Sequence, residues 1–183
     1  MIYLLGYMGS GKTTFGRALA SACGKTFVDL DDYIEEIKRK KIREIFRDTG
    51  EEGFRRIERE SLRQLSETDV DIIACGGGTP CFFDNMEFMN SKGYTVWLNA
   101  SQERLFERLR LENSTRPLIA GLNDENIRQR ISADLKKRTP FYEAAQIHLD
   151  ADRLDSAEEI SRTLRDFIAQ YPALGFAFTK GLH

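Results

Sequence analysis

The sequence predicts an α/β fold in which a parallel sheet carries helices on both faces. Three observations lead there. Short apolar runs alternate with longer amphipathic segments, as a succession of strand–helix units requires. The short runs are continuously apolar rather than alternating, as strands buried on both faces are. Three of them also end in chemically distinctive residues: Gly6, the stretch Asp29–Asp31, and Gly76–Gly78. In such sheets ligands sit at the carboxyl ends of the strands.

The first strand is Ile2–Leu5, four apolar residues stopped by Gly6. A helix is expected over Lys12–Ala22, where Phe15, Leu19 and Ala22 recur at i, i+4 and i+7. Thr26–Leu30 is the second strand. Asp32–Arg47 reads as one helix, with Ile34, Ile37, Ile42, Ile45 and Phe46 on one side, and Glu51–Ser66 reads as the next. Val70–Ala74 is a strand that runs into the three glycines. Asn85–Asn90 is a short helix, Thr95–Leu98 a strand and Gln102–Arg110 a helix. Leu122–Tyr142 is one long helix interrupted late by Pro140. Ile147–Leu149 is the last strand and Ser156–Gln170 the last helix.

Composition narrows the function classes. The 183 residues suit a single domain able to bury its own core. Lys+Arg is 27 and Asp+Glu is 29, a net charge of −2. That balance argues against a general nucleic-acid binder, which needs surplus cations, and leaves room for a local basic pocket. No run approaches the roughly 18 apolar residues of a membrane span. The N-terminus lacks the basic and apolar regions of a signal peptide. Three cysteines, Cys23, Cys75 and Cys81, form no CxxC pair and read as reduced thiols of a cytosolic protein. Two histidines, His148 and His183, make a histidine zinc site unexpected.

Residues 6–13 read Gly6-Tyr7-Met8-Gly9-Ser10-Gly11-Lys12-Thr13, a complete GxxxxGK[ST] between a strand and a helix. The glycines let backbone N–H groups converge on phosphate oxygens, and the helix N-terminus adds positive potential. Lys12 brings a point charge to the outer phosphates, and the Thr13 hydroxyl is a Mg²⁺ ligand type. The motif implies a nucleoside triphosphate and Mg²⁺ without naming the phosphate acceptor. The strand ending at Leu98 continues Asn99-Ala100-Ser101-Gln102, which is not the base-reading motif of a GTPase switch.

Asp29 and Asp31 share a face if the second strand runs through Leu30. Two such carboxylates divide naturally into a metal-side group and a proton acceptor for a hydroxyl. Asp31 and Asp32 are equally residues that cap a following helix, Asp32 the more so. Arg55 stands one turn before Glu58 and follows Phe54; the commonest use of this spacing is a surface ion pair. Held near a carboxylate, the guanidinium becomes a directed fork for an anion. Gly76–Gly78 allow close approach of a ligand to the backbone, although three glycines also make a plain loop. Residues 112–121 form a polar segment between helices, long enough for a lid, with Arg116 at its middle. Arg104 and Arg108, four apart, read as a solvated helix face. Lys136, Lys137 and Arg138 form a basic helix end that suits the dipole.

Taken together, these stretches resemble the shikimate kinase family. The resemblance rests on GYMGSGKTT, FVDLDDYIE, EIFRDTGEEGFRRIE, ACGGG, VWL, RPLIAG and LKKRTPFY, and covers roughly Ile2 to Leu149. It implies a three-layer P-loop fold with a five-stranded parallel sheet, similar to nucleoside monophosphate kinases. It also implies transfer of the γ-phosphoryl group of ATP to the 3-hydroxyl of shikimate. By position it implies that Gly9, Ser10, Gly11, Lys12, Thr13 and Thr14 bind the phosphates. Thr13 and Asp29 then serve Mg²⁺, Asp29 through water, and Asp31 binds the ring hydroxyls and takes the proton. Arg55 and Arg138 clamp the shikimate carboxylate, Gly77 offers its N–H, and Arg116 reaches ATP from the lid. Arg153 is the candidate for the adenine, with Arg110 a weaker one. Lys12, Asp31 and Arg116 are the catalytic set. The implied organisation is one domain over 1–170, with acceptor binding at about 31–62, a lid at about 110–125 and a tail at 171–183. A cytoplasmic monomer is expected, with no nucleic-acid or membrane partner. Three departures from the family pattern stand out: Arg39-Lys40-Lys41 at a turn, Pro80-Cys81 after the glycines, and the tail itself. In that tail Leu174, Phe176 and Phe178 are ready to pack on the body or on a neighbour.

Overall fold

The computed structural model of the chain describes residues 1–111, 121–177 and 179. Five strands form one all-parallel sheet in the order β2-β3-β1-β4-β5. They are β1 (Ile2–Leu5), β2 (Phe27–Asp29), β3 (Ile72–Ala74), β4 (Tyr94–Asn99) and β5 (Ile147–Asp150). The helices are α1 (Lys12–Cys23), α2 (Leu30–Lys38), α3 (Ile42–Ser66), α4 (Asn85–Lys92), α5 (Gln102–Leu111), α6 (Asp124–Tyr142) and α7 (Ala157–Gln170). Short 3₁₀ turns lie at Thr79–Cys81 and Pro172–Leu174.

Side-chain alternation along β1 divides the core into two layers. Ile2 and Leu4 face one side, with Phe15, Leu19, Val96 and Phe167. Tyr3 and Leu5 face the other, with Leu30, Ile34, Phe54, Leu62 and Trp97. The chain first builds outward to β2, returns to β3 beside β1, and then crosses to β4. The carboxyl end of β1 is therefore the point where strand order reverses and a crevice opens. The ends of β2, β3 and β1 lie side by side there: Asp29 pairs with Ala74, Ala74 with Leu4, and the Cys75 N–H donates to the Leu4 carbonyl at 3.0 Å.

Where boundaries depart from expectation, local hydrogen bonding decides. The helix expected over 32–47 breaks at Arg39, whose φ of 51° and N–H bonds to the Glu35 and Glu36 carbonyls end α2. The break expected between 47 and 51 is present at Gly50, whose φ of 70° and ψ of −178° are non-helical and kink α3 there. The second strand stops at Asp29 rather than Leu30. The Asp29 carboxylate accepts the Asp31 N–H at 3.1 Å and caps α2, so neither Asp31 nor Asp32 is the cap. Pro140 does not interrupt α6, which runs on to Tyr142. It sits in the last turn, where a missing N–H removes one bond and the final carbonyls lack helical partners anyway. The tail packs on the body. Phe176 enters the α1–α7 side of the core, and the Thr179 N–H satisfies the Ala22 carbonyl at the end of α1, at 2.9 Å. Phe178 lies outside the described residues. Among the described residues no helix is long and apolar enough to cross a membrane.

Candidate active site

The site begins where β1 ends. Gly9 (φ 80°) and Gly11 (φ 91°) hold left-handed geometry that side-chain-bearing residues rarely adopt, and they deliver the chain into α1. The first N–H groups of α1 have no helical partners and point, with the helix dipole, into the crevice. Lys12 Nζ donates to the Gly6 and Tyr7 carbonyls, both at 2.9 Å. The Thr13 hydroxyl donates to Asp29 Oδ2 at 2.8 Å, so the end of β2 and the start of α1 present two oxygen donors together. The Ser10 side chain is fully buried against Gly6, and Thr14 is exposed.

The glycines after β3 form the facing floor, and each lets a charged side chain lie against the backbone. A Cβ on Gly76 would stand 2.9 Å from Glu58 Oε1 and 3.3 Å from Asp31 Oδ1. One on Gly77 would stand 3.3 Å from Arg138 Nη1, and one on Gly78 would stand 2.6 Å from Arg55 Nη2. The floor thus brings Asp31, Arg138 and Arg55 together from α2, α6 and α3. Glu58, only 1% exposed, anchors this arrangement: it accepts from Arg55 Nη1 at 2.8 Å and from the Thr79 hydroxyl at 2.6 Å. The Arg55–Glu58 pair is therefore buried, not the surface pair its spacing suggests. The Arg55 guanidinium lies 4.2 Å from the Phe82 ring centre and 5.2 Å from that of Phe54, while its buried Nε has no partner.

Asp31 is the electrostatic focus. Burial first, and then the neighbouring Asp29 and Glu58 carboxylates, raise its carboxyl from the ordinary 3.8 to about 7 against the lowering pull of Lys12 and Arg55. A group poised there exchanges a proton near neutral pH. Asp29 and Asp31 do converge, although not through strand alternation: one caps α2 and the other occupies its first turn.

Several residues acquire roles that the sequence did not suggest. Arg108, expected on a solvated face, is only 14% exposed. It donates to the Gly9 carbonyl at 3.2 Å and to the Ala151 and Asp152 carbonyls at 2.9 and 3.3 Å, and pairs with Asp155 at 2.7 Å. It thereby ties the phosphate loop to the turn after β5. Arg153 is exposed on that turn, next to Leu154, which packs on Gly11. Arg110 is an exposed partner of Asp124 at 3.4 Å. The Tyr142 hydroxyl donates to the Gly77 carbonyl, and Cys81 lies within the field of Arg138 and Arg55. No local pattern marks Arg108 or Tyr142, because their partners are distant in sequence. Arg116, the arginine expected over the nucleotide, lies outside the described residues, as does most of the expected lid.

An anion cradle at the switch point, faced by a carboxylate poised near neutrality and two guanidinium groups, defines the frame of a P-loop small-molecule kinase. The family model for shikimate kinase matches residues 8–169, and the chain belongs to the shikimate kinase family. Shikimate kinase from Parabacteroides distasonis is 47% identical over 159 residues, covering 87% of this chain and 92% of its own. The crystal structure of shikimate kinase from Bacteroides thetaiotaomicron superposes with a TM-score of 0.90 at 44% identity, covering 93% of this chain and 97% of its own. That of the Acinetobacter baumannii shikimate kinase in complex with shikimate gives 0.80 at 33% identity, covering 94% and 93%.

Proposed function

We propose that this chain phosphorylates the 3-hydroxyl of shikimate with ATP and Mg²⁺, giving shikimate 3-phosphate and ADP on the route to chorismate and the aromatic amino acids. The observation that carries this is the floor Gly76–Gly78, where Asp31 lies beside two guanidinium groups. Such a floor suits an acceptor with both a carboxylate and a hydroxyl. Arg55 and Arg138 hold the carboxylate as a fork on either side, and the Gly77 N–H adds a donor. Asp31 orients the ring hydroxyls and receives the proton as the 3-oxygen bonds to the γ-phosphorus and the bond to the departing ADP oxygen breaks. Gly9, Ser10, Gly11 and Thr14 hold phosphates through their main chain, and Lys12 turns from its loop carbonyls to the outer phosphates.

Thr13 and Asp29 are hard oxygen donors already in contact, a set that fits a cation ligated mostly by phosphates and water. Among the described residues no three acidic, cysteine or histidine side chains form a metal cluster of their own. Bound Mg²⁺ would neutralise charge on the phosphate oxygens. Arg116 belongs to this reading as the lid cation and Arg153 as the adenine contact. So does a single kinase domain over 1–170, acting as a cytoplasmic monomer. The test is ADP release with Mg²⁺-ATP, comparing shikimate, gluconate, nucleoside monophosphates and no acceptor. Turnover with shikimate alone is the expected result. Turnover with another acceptor would retain the nucleotide site and overturn the acceptor assignments.

A further inference from the structure

Three elements meet at one point beside Gly77. A Cβ there would stand 3.3 Å from Arg138 Nη1, 3.4 Å from the Met8 nitrogen and 3.5 Å from the Gly6 oxygen. The guanidinium assigned to the acceptor carboxylate thus lies against the phosphate loop itself. The residue between those two loop atoms is Tyr7. Its side chain is almost wholly buried, and its hydroxyl donates at 2.8 Å to Asp134 Oδ2, on α6 and one turn before Arg138. The same oxygen lies 3.5 Å from Arg138 Nη2 and 3.7 Å from Arg130 Nε. The Arg138 guanidinium lies 5.3 Å from the centre of the Tyr7 ring.

We propose that Tyr7 and Asp134 are positioning residues for the acceptor clamp: they set the direction of the Arg138 guanidinium over the glycine floor. One carboxylate oxygen faces two competing guanidinium groups, and the tyrosine hydroxyl is its shortest contact. A carboxylate so held can attract Arg138 from one direction only. Without the hydroxyl, Asp134 is free to close on Arg130 or Arg138, and Arg138 loses its register with Gly77. The bond joins residues 127 positions apart, so no helix-local preference produces it. The proposal rests on Arg138 binding the acceptor carboxylate; Tyr7 and Asp134 touch neither substrate.

The test compares shikimate with its carboxamide, which keeps the ring hydroxyls and lacks the anion. Tyr7→Phe removes the hydroxyl and keeps the ring. The expected result is a loss of about fivefold to tenfold in kcat/KM for shikimate, carried by the acceptor KM, with the carboxamide and the ATP KM unchanged. Asp134→Asn keeps an acceptor for Tyr7 but removes the charge facing Arg138, and should show the same selective loss. Equal losses for both acceptors, or none with shikimate, would overturn the proposal. Inactivity of the wild-type protein with shikimate would instead remove the reading it rests on. Melting temperatures of both variants separate a folding defect from the selective effect.

Discussion

Asp31→Asn is expected to lower activity and raise stability together. In the folded protein Asp31 titrates near 7, against 3.8 for an ordinary aspartate. Between those values the folded state holds a proton that the unfolded chain has released. Linkage then makes stability fall as pH rises through that window, with the penalty complete above about pH 7. At ~1.4 kcal/mol per pH unit the full penalty is about 4 kcal/mol. Asp31 keeps one side toward solvent, so screening reduces this, and about 2 kcal/mol is the expected measurable gain for the asparagine variant at pH 8. At pH 5 most of that advantage should vanish. The assay is urea unfolding of both proteins at pH 5 and pH 8, with kcat measured at pH 8. Activity should drop by about a hundredfold or more, as removal of a general base does. In the wild type, kcat/KM for shikimate should rise tenfold per pH unit below 7 and level off above it. A variant that is no more stable at pH 8 than at pH 5, relative to wild type, would refute the buried-carboxylate reasoning. A fully active one would refute the base assignment.

Three further outcomes follow from the geometry. Gly78→Ala places a methyl group against the Arg55 guanidinium at a position whose φ of −96° any residue tolerates. Steady-state kinetics should show kcat/KM for shikimate reduced by about tenfold to a hundredfold, with the ATP KM near wild type. Arg108→Ala removes the tie between the phosphate loop and the turn after β5. The ATP KM should rise about tenfold while the acceptor KM stays put, a split that initial-rate measurements read directly. Phe176→Ala withdraws the tail's ring from the α1–α7 core, and calorimetry should find a loss of about 2 kcal/mol, or about 5 °C in Tm, with kcat at 25 °C retained.

Much of the fold was legible because its signals are local. Continuous apolar runs, glycine at the end of β1 and helical spacing in α1 and α2 located every strand and most helices. Two of the misread boundaries are set by local hydrogen bonding: Arg39 in a left-handed turn that the side chain does not advertise, and Asp29 as the cap that ends β2 early. The phosphate loop was legible down to the atom types because its function resides in backbone shape. The acceptor side was legible through family resemblance alone. Arg55 with Glu58 looks like any helix-surface pair until burial by the glycine floor and Phe82 makes it something else.

By itself, then, the sequence determined the layer order, the parallel sheet and the anion cradle, because each depends on patterns within about ten residues. Only the tertiary structure decided where the long arginine side chains lie. Arg108 left the surface because Gly9 and the turn after β5 lie within its reach. Arg138 faces Gly77, with Asp134 and Tyr7 beside it, because α6 returns across the end of β1. Long cationic side chains have no fixed environment of their own. The carbonyls, carboxylates and rings brought to them from distant parts of the chain determine whether they remain in water or grip a substrate.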